Sequence, residues 1–420
     1  MARNRRSVVL VACLAGMAAA FSPSQAPGFS APVVVTPPDV DFLTEPGVDV
    51  SMDGRIYVNA PGGLPLSSYL FRSDDGGATF HLTDLSLRDL MPGGGDSDVA
   101  LDPKDGTLYF SDLYLGNSTM AVSHTRGDTL LFVANPAGGV PVHDRPWVAT
   151  PGNGVAYFVY AQVPTGLWVS KSVDGGLTYP LATMAASLVD CSYCGAPGNL
   201  IAEGGDPLAT TGNVGVIYAT GSGGVGFARS TDGGLDWTQA VVSKDQNDLV
   251  TTAAFAVVAN AGGGKLVATW LELLLDGNGK ANRSRVRFSR SANWGATWDA
   301  PVTLVADGTS VFPWIDARGS KVAVVLYHTS AVGSPDTVPA ASQWFVEYLE
   351  STTGGVPSTP TIVDTVPVKT GPVCTEGTGC AGDRELGDFF QVTIDPANRS
   401  NVAWARVKSG GATEMRFSRQ

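Results

Sequence analysis

An eight-residue motif that recurs along the chain constrains the fold more than any other feature. Residues 73–80 read S-D-D-G-G-A-T-F, with Ser first, Asp third, Gly fifth, Thr seventh and an aromatic residue last. Further copies stand at 172–179, 230–237 and 291–298, and two eroded copies at 123–130 and 351–357. The third position therefore falls at 75, 125, 174, 232, 293 and 353. Repeats of this length with strand-rich content predict the blades of a β-propeller.

Each repeat divides into four short strands, because β-branched runs with period-2 alternation are separated by Gly and Asn clusters. In the repeat that ends with the third motif, we place the strands at 207–210, 214–219, 224–230 and 238–242. Seven turns between first and second strands can be counted independently of the six motifs. The sequence thus predicts an all-β, seven-bladed propeller of four-stranded antiparallel blades. Six blades remain the alternative, if the weakly marked region 300–420 folds differently.

The last repeat stops after its third strand, since residues 415–420 are similar to the strand before a motif at 286–291. Residues 32–36, a Pro followed by three Val and a Thr, could supply the missing fourth strand and remove an exposed sheet edge. We therefore divide the chain into a signal peptide (1–20), an N-terminal segment with the ring-closing strand (21–40) and the propeller (41–420).

The N-terminus has the features of an export signal. Arg3, Arg5 and Arg6 precede an apolar run from 8 to 21, and three Ala at 18–20 offer a cleavage site. We expect a secreted or periplasmic protein. The sequence L-V-A-C at 10–13 leaves open a lipid anchor on Cys13. No other stretch is long and apolar enough to span a membrane.

Composition narrows the class of partner. The formal net charge is −12 and no basic stripe is visible, which argues against nucleic acid and anionic membrane surfaces. The hydrophobic fraction of 44% excludes a disordered chain. We expect a monomer that binds a glycan or an extracellular protein.

Four cysteines remain after the signal peptide: Cys191, Cys194, Cys374 and Cys380. An even number in an exported chain favours two short disulfides, Cys191–Cys194 and Cys374–Cys380, over a four-thiolate zinc site. The four histidines show no metal-ligand spacing, so no metal or cofactor is predicted. Asp276 and Asn278 form a fragment of a calcium loop, which leaves a structural calcium ion open.

The motif residues themselves are expected to be structural. Gly at the fifth position permits a turn that a Cβ disfavours, and the Ser and Asp side chains can bond the backbone of the loop. An active site would need only one copy, whereas several are spread around the ring. The predicted structural residues are Ser73, Asp75, Gly77, Ser172, Asp174, Gly176, Ser230, Asp232, Gly234, Ser291, Asn293 and Gly295.

These motifs resemble the Asp-box (BNR) repeats of the sialidase-like β-propellers, and the resemblance covers about residues 40 to 420. Residues 143–149 (H-D-R-P-W-V-A) and 386–396 (L-G-D-F-F-Q-V-T-I-D-P) also look like stretches of secreted bacterial proteins of this type. The resemblance implies a six-bladed sialidase-type ring as the alternative. It also implies an exo-sialidase-like glycoside hydrolase with an arginine triad, whose first Arg lies in an F/Y-R-I-P motif. Arg145-Pro146 is the nearest match here and differs on both sides.

The candidate site lies on the face opposite the motifs, where the chain begins each innermost strand. Carboxylates there could act as acid and base on a glycosidic bond, and arginines could clamp an anionic group. Each residue could instead form a local salt bridge at a strand start. The catalytic candidates are Asp144, Glu203 and Asp388, and the substrate-binding candidates are Arg145, Arg384, Asp98 and Asp206.

Two functions compete on this basis. The first is recognition of an extracellular glycan, with or without hydrolysis. The second is a non-catalytic protein-interaction scaffold or receptor-like binding module. A pocket that joins two carboxylates with Arg145 or Arg384 would favour the first.

Overall fold

The structure is a computed structural model that describes residues 28–63, 68–83, 93–114, 117–138, 143–162, 165–191, 197–204, 211–221, 223–245, 248–249, 256–278, 281–382 and 384–420. Strands and two short 3-10 helices (Pro335–Thr337 and Gly377–Gly379) are its regular elements. The strands are, in chain order, β1 (Val33–Val34), β2 (Gly47–Val50), β3 (Ile56–Ala60), β4 (Tyr69–Ser73), β5 (His81–Leu82), β6 (Ser97–Leu101), β7 (Leu108–Tyr114), β8 (Asn117–Ser123), β9 (Phe132–Ala134), β10 (His143–Gly152), β11 (Val155–Gln162), β12 (Gly166–Ser172), β13 (Leu181–Ser187), β14 (Pro197–Glu203), β15 (Asn213–Ala219), β16 (Val225–Ser230), β17 (Thr238–Ser243), β18 (Asp248–Leu249), β19 (Val257–Gly262), β20 (Lys265–Leu275), β21 (Ala281–Ser291), β22 (Val302–Val305), β23 (Thr309–Arg318), β24 (Lys321–Thr329), β25 (Gln343–Ser351), β26 (Ser358–Ile362), β27 (Lys369–Thr370), β28 (Gln391–Ile394), β29 (Ser400–Val407) and β30 (Thr413–Arg419).

The strands form seven antiparallel blades arranged in a ring, which confirms the predicted propeller and rules out six blades. Blades 1 to 4 consist of β2–β5, β6–β9, β10–β13 and β14–β17. Blade 5 is β19–β22 with β18 added, and blade 6 is β23–β26 with β27 added. Blade 7 contains β28, β29 and β30, and β1 is its outermost strand. The inner strands β2, β6, β10, β14, β19, β23 and β28 each contact the next one around the ring.

The N-terminal strand completes blade 7. Val33 pairs with Phe417, and Val34 pairs with Arg416. The backbone of Val35 continues this pairing by donating to Met415 O at 2.9 Å. The ring is therefore closed by strands from the two ends of the chain.

The middle strands of the blades are apolar on both faces because each blade packs between two neighbours. All nine residues of β24 are buried, and six of them are Val, Leu, Ala or Tyr. Large buried aromatic side chains fill the spaces between blades, among them Trp270, Trp344 and Trp404. Full burial on two faces explains why these strands are nearly continuous apolar runs rather than alternating ones.

The motif loops are held by their own side chains. Gly77 N–H donates to Ser73 Oγ at 2.8 Å. Thr79 donates to Asp75 twice, from its N–H at 2.9 Å and from its hydroxyl at 2.6 Å. These bonds hold the pKa of Asp75 below its ordinary value, the Thr79 hydroxyl being the largest cause. The carboxylate therefore staples a turn, as an Asx turn does, and is a poor general acid.

The same glycine-to-serine bond recurs in every copy, including the eroded ones. It joins Gly127 to Ser123, Gly176 to Ser172, Gly234 to Ser230, Gly295 to Ser291 and Gly355 to Ser351, at 2.9 to 3.1 Å. The loops also bond the first turn of their own blade, as Trp294 N–H does with Gly264 O at 2.7 Å. Motifs and first turns therefore share one face, here called the bottom face. The opposite face, where inner strands begin, is the top face.

Polar side chains on the inner strands join blades 1 and 2, 2 and 3, 4 and 5, 6 and 7, and 7 and 1. Asp98 Oδ2 accepts from Val148 N–H of the following blade at 2.9 Å. Equivalent bonds join Asp49 to Leu101 N–H (3.2 Å), Asn199 to Val258 N–H (2.8 Å), Asp316 to Ile394 N–H (2.6 Å) and Gln391 to Val48 N–H (3.0 Å). We call these five contacts the inter-blade clamps. They satisfy inner-strand N–H groups that face the ring axis rather than another strand.

Blade 4 departs from the predicted strand positions. Its first strand is β14, about ten residues earlier than the predicted 207–210. Residues 205–210 lie outside the described residues.

No helix among the described parts of the chain is long and apolar enough to cross a membrane.

The motif glycines are also points of contact between blades, which yields a matched pair of variants. Both Gly234 (φ 89°) and Gly295 (φ 71°) have left-handed backbone, but their surroundings differ. A Cβ on Gly295 would lie 2.2 Å from the ring of Phe227, whereas one on Gly234 would make only ordinary contacts, with Tyr157 at 3.6 Å and Trp237 at 3.9 Å. We expect Gly234→Ala to cost about 1 kcal/mol of backbone strain and Gly295→Ala roughly 1–3 kcal/mol more, from overpacking. Urea unfolding measures both, and equal losses would contradict the role of the Phe227 contact.

The clamps make stability depend on pH. Burial raises the pKa of Asp49 and Asp98 to about 7 and that of Asp316 to about 6. The folded state therefore keeps protons that the unfolded chain releases near pH 4. The stabilisation that comes from these retained protons is complete below about pH 4 and is lost as pH rises towards 7. We expect the free energy of unfolding to fall between pH 5 and pH 8.

Asp98→Asn tests this dependence, because an amide oxygen can still accept from Val148, as that of Asn199 does from Val258. We expect the variant to gain roughly 1 kcal/mol or more at pH 8 and to change little at pH 5. Chemical denaturation at both pH values checks the result. An equal loss of unfolding free energy at both pH values would mean that the carboxylate itself is required.

Candidate functional site

Four of the predicted top-face residues come together at the mouth of the central channel. Asp144 and Arg145 lie near the start of β10, and Arg384 and Asp388 precede β28. Two further carboxyl groups join them: Asp96, which precedes β6, and Glu45, which precedes β2. We call Glu45, Asp96, Arg145, Arg384 and Asp388 the axial cluster. Its members come from blades 1, 2, 3 and 7.

Arg145 is the centre of the axial cluster. Its Nη1 lies 3.1 Å from Asp96 Oδ2, and its Nη2 lies 2.9 Å from Asp388 Oδ2. The side chain is only 4% exposed. Its backbone has φ 57°, at a register shift of β10 between Asp144 and Trp147. The Asp144 carboxylate accepts the Arg145 N–H at 2.9 Å and so supports this unusual conformation.

Arg384 lies at the edge of the axial cluster and is its most exposed member, at 38%. Its Nη2 donates to Asp388 Oδ2 at 2.8 Å and to Glu45 Oε1 at 3.2 Å. Glu45 Oε1 also accepts Asp388 N–H at 2.9 Å. Glu45 itself has left-handed backbone, with φ 54°. Two arginines thus bind one almost fully buried carboxylate, that of Asp388.

Carboxyl groups outnumber guanidinium groups in this cluster, and their protonation reflects the excess. Burial raises the pKa of Asp96 well above its ordinary value, against the opposing effect of Arg145. Burial also raises the pKa of Glu45, and the charge of Asp388 adds to that shift. Asp388 itself contacts both guanidinium groups. Two carboxyl groups of the cluster, those of Glu45 and Asp96, therefore retain a proton to higher pH than usual.

An aromatic floor lies directly below the axial cluster. Trp147, Trp314 and Phe389 meet with ring centroids 5.1 to 5.7 Å apart. The two tryptophans come from blades 3 and 6, on different sides of the ring, so they close the channel. Both follow a residue with left-handed backbone and a proline, in Arg145-Pro146-Trp147 and in Phe312-Pro313-Trp314.

Beneath this floor the channel continues as a cavity of about 350 Å³, lined by inner-strand residues that include Asp49, Asp316 and Gln391. The tryptophans are packed against each other rather than presented to a ligand.

The segment that carries Arg384 and Asp388 is tied down at several points. The predicted Cys374–Cys380 disulfide is present, with the two Cα atoms 6.0 Å apart. Lys369 Nζ lies 2.6 Å from Glu385 Oε2. A Cβ on Gly387 (φ 69°) would lie 2.3 Å from Glu45 Cγ, so only glycine permits this approach. These contacts place Asp388 against Glu45.

The remaining predicted site residues do not join the axial cluster. Asp98 lies within β6 and acts as an inter-blade clamp. The prediction for Glu203 was wrong: it ends β14 on the bottom face, where its carboxylate accepts Gly263 N–H at 2.8 Å. The error follows from the shifted first strand of blade 4. Asp206 and Cys194 lie outside the described residues, so their predicted roles and the Cys191–Cys194 disulfide stay predictions.

Sequence reasoning missed Glu45. Its signal was its position, two residues before the first inner strand, which matches that of Asp96 immediately before β6. No group of three or more His, Cys, Asp or Glu in the described parts of the chain is arranged to hold a metal ion. Asn278 N–H donates to Asp276 Oδ1 at 2.8 Å, as in a simple loop, and a structural calcium ion stays a prediction.

Comparison with known proteins supports the fold. No protein-family model and no curated protein matches this chain. Among solved structures, a PL25 ulvan lyase bound to -[GlcA(1-4)Rha3S]- is similar with a TM-score of 0.50 and 12% identity, over 90% of this chain and 94% of that one. The GH93 α-L-arabinofuranosidase of Fusarium graminearum has a TM-score of 0.48 and 12% identity, over 93% of this chain and 98% of that one. The Hadza microbial sialidase Hz136 has a TM-score of 0.41 and 15% identity, over 90% of this chain and 65% of that one. At 12% identity the likeness to the lyase concerns the fold alone.

The buried ion pairs of the axial cluster predict a large effect of removing one charge. Asp388→Asn would leave two guanidinium groups short of an anion, and we expect a loss of roughly 3 kcal/mol. The matched control is Asp299→Asn, since Asp299 pairs with Arg290 at 3.2 Å where both side chains are exposed. We expect that variant to lose less than about 0.5 kcal/mol. Urea unfolding of both compares the two positions, and similar losses would contradict the buried network.

Proposed function

We propose that this propeller recognises an extracellular glycan on its top face, at the axial cluster. The observation that carries the proposal is the convergence of five ionisable side chains from four blades at one mouth of the channel. Two of these residues, Glu45 and Arg145, have left-handed backbone. Strained backbone of this kind is retained where surrounding contacts enforce it and is often found at functional sites.

The chemistry of the cluster suits a ligand rich in hydroxyl groups. A sugar hydroxyl can donate to a carboxylate and accept from a guanidinium at the same time. The network is preformed and tied by the Cys374–Cys380 disulfide, so binding would order few side chains. Arg384 is the member that a ligand would reach first, because it is the most exposed. Resemblance to sialidase-like propellers in the sequence is consistent with a carbohydrate ligand.

Hydrolysis of the bound glycan is a second candidate function, and the pair Asp96 and Asp388 favours it. Burial raises the pKa of Asp96, so this group would supply a proton. The Asp388 carboxylate contacts two arginines and would act as base or nucleophile. Both contact one guanidinium, that of Arg145, which limits the separation of the two carboxyl groups to about 8 Å, within the reach of glycosidase pairs.

A glycan-binding screen with one matched pair of variants tests recognition. We expect Arg384→Ala to weaken binding of the best glycan by about tenfold, since a charged hydrogen bond contributes roughly 1.5–3 kcal/mol. Arg290→Ala on the bottom face is the control, because Arg290 has similar exposure (42%) and also pairs with an aspartate. Isothermal titration calorimetry measures both. Equal affinities for the two variants would remove the top face as the site.

Fluorogenic glycosides then separate recognition from hydrolysis. Turnover that Asp96→Asn abolishes, while the variant still binds the glycan, would establish an enzyme with Asp96 as its acid. Binding without turnover across the panel would leave a recognition module. Absence of glycan binding would favour the protein-interaction scaffold.

A further inference from the structure

We propose that the glycan recognised at the axial cluster is uncharged, and that the cluster disfavours sialic and uronic acids. This inference rests on the proposed function and names the class of its ligand. It follows from how the two arginines are engaged and from the charge that surrounds them.

The guanidinium groups are bound to the protein's own carboxylates. Arg145 is almost completely buried and contacts Asp96 and Asp388. Arg384 contacts Asp388 and Glu45 through the same Nη2, and its Nε lies 3.3 Å from Asp388 Oδ1. An anionic sugar could bind the Arg145 guanidinium, or the Nε and Nη2 of Arg384, only by displacing one of the carboxylates. The displaced carboxylate would then be buried without its partner, which is strongly unfavourable.

The charge around the mouth is negative. Glu45, Asp96 and Asp388 face two guanidinium groups, and Asp144 acts electrostatically on both Asp96 and Arg145. Even if Asp96 retains its proton, the three carboxyl groups of Glu45, Asp144 and Asp388 outnumber the two guanidinium groups. A carboxylate on a ligand would approach this excess at close range, where repulsion is only partly screened. Neutral hydroxyl groups meet no such barrier.

The bland alternative is that the cluster is a purely structural lock, with no effect on ligand choice. It can be distinguished because Glu45→Gln removes one negative charge while keeping an oxygen that accepts from Asp388 N–H and Arg384. If the cluster is purely structural, the Glu45→Gln variant would be less stable but would keep the same preference between neutral and anionic glycans. An electrostatic filter would change its preference between neutral and anionic glycans.

The experiment uses pairs of oligosaccharides that differ only in a carboxylate, such as galacto- and galacturono-oligosaccharides of equal length, and lactose with sialyllactose. We expect the neutral member to bind at least about tenfold more tightly at low salt, and the gap to narrow at high salt. Glu45→Gln should reduce the gap severalfold. Asp53→Asn, an exposed carboxylate paired with Arg55 and Arg126 on the bottom face, is the control and should leave it unchanged.

Three results would overturn the inference. Tighter binding of the anionic member, lost in Arg384→Ala, would show that Arg384 is an anion clamp. A neutral preference that Glu45→Gln leaves unchanged would place its origin outside the axial cluster. Failure of every oligosaccharide to bind would overturn the proposed function itself, which distinguishes that case from a wrong ligand class.

Discussion

The hydrogen bond from one inner strand to a polar side chain of the neighbouring inner strand is the contact on which this ring depends. Each blade is a separate sheet, so the inner edge of one blade has no backbone partner on the next. Unpaired N–H groups at such edges are costly when buried. Asp49, Asp98, Asn199, Asp316 and Gln391 accept such N–H groups at five interfaces between neighbouring blades and fix the height of those blades against each other. The inter-blade clamps thus place polar side chains around the axis of the ring.

The same contacts position the axial cluster. Asp98 binds Val148 N–H, which fixes β10 against β6 and so aligns Arg145 with Asp96, two residues before Asp98. Asp316 binds Ile394 N–H of the strand that follows Asp388. Gln391 binds Val48 N–H of the strand that follows Glu45. Scaffold and site are therefore one network, in which the register of three inner strands sets distances between charged groups on the top face.

The repeated motif allowed the propeller fold and the bottom face to be predicted, because its Ser and Gly interact within five residues of each other. The blade count came from the seven turns between first and second strands. The fold was correct for this reason. The site was predictable only in part. Arg145 and Asp388 were chosen from their positions near strand starts, but their contact depends on the curvature of a ring over 243 residues. Glu45 was missed because no repeat precedes it, and Glu203 was misplaced because no motif marks where a first strand begins.

Closure of blade 7 by β1 has a consequence for how the molecule is made. Val33 pairs with Phe417, so the last contact of the ring joins residues that are synthesised at opposite ends of the chain. Blades 1 to 6 can each collect their strands locally, but blade 7 must wait until both ends are available. Contacts of such long sequence separation form late in folding and slow it. Until then blade 7 exposes an unpaired edge, which a second molecule could occupy. During folding, the N-terminal strand of the molecule therefore competes with that of a neighbouring molecule for the open edge of blade 7.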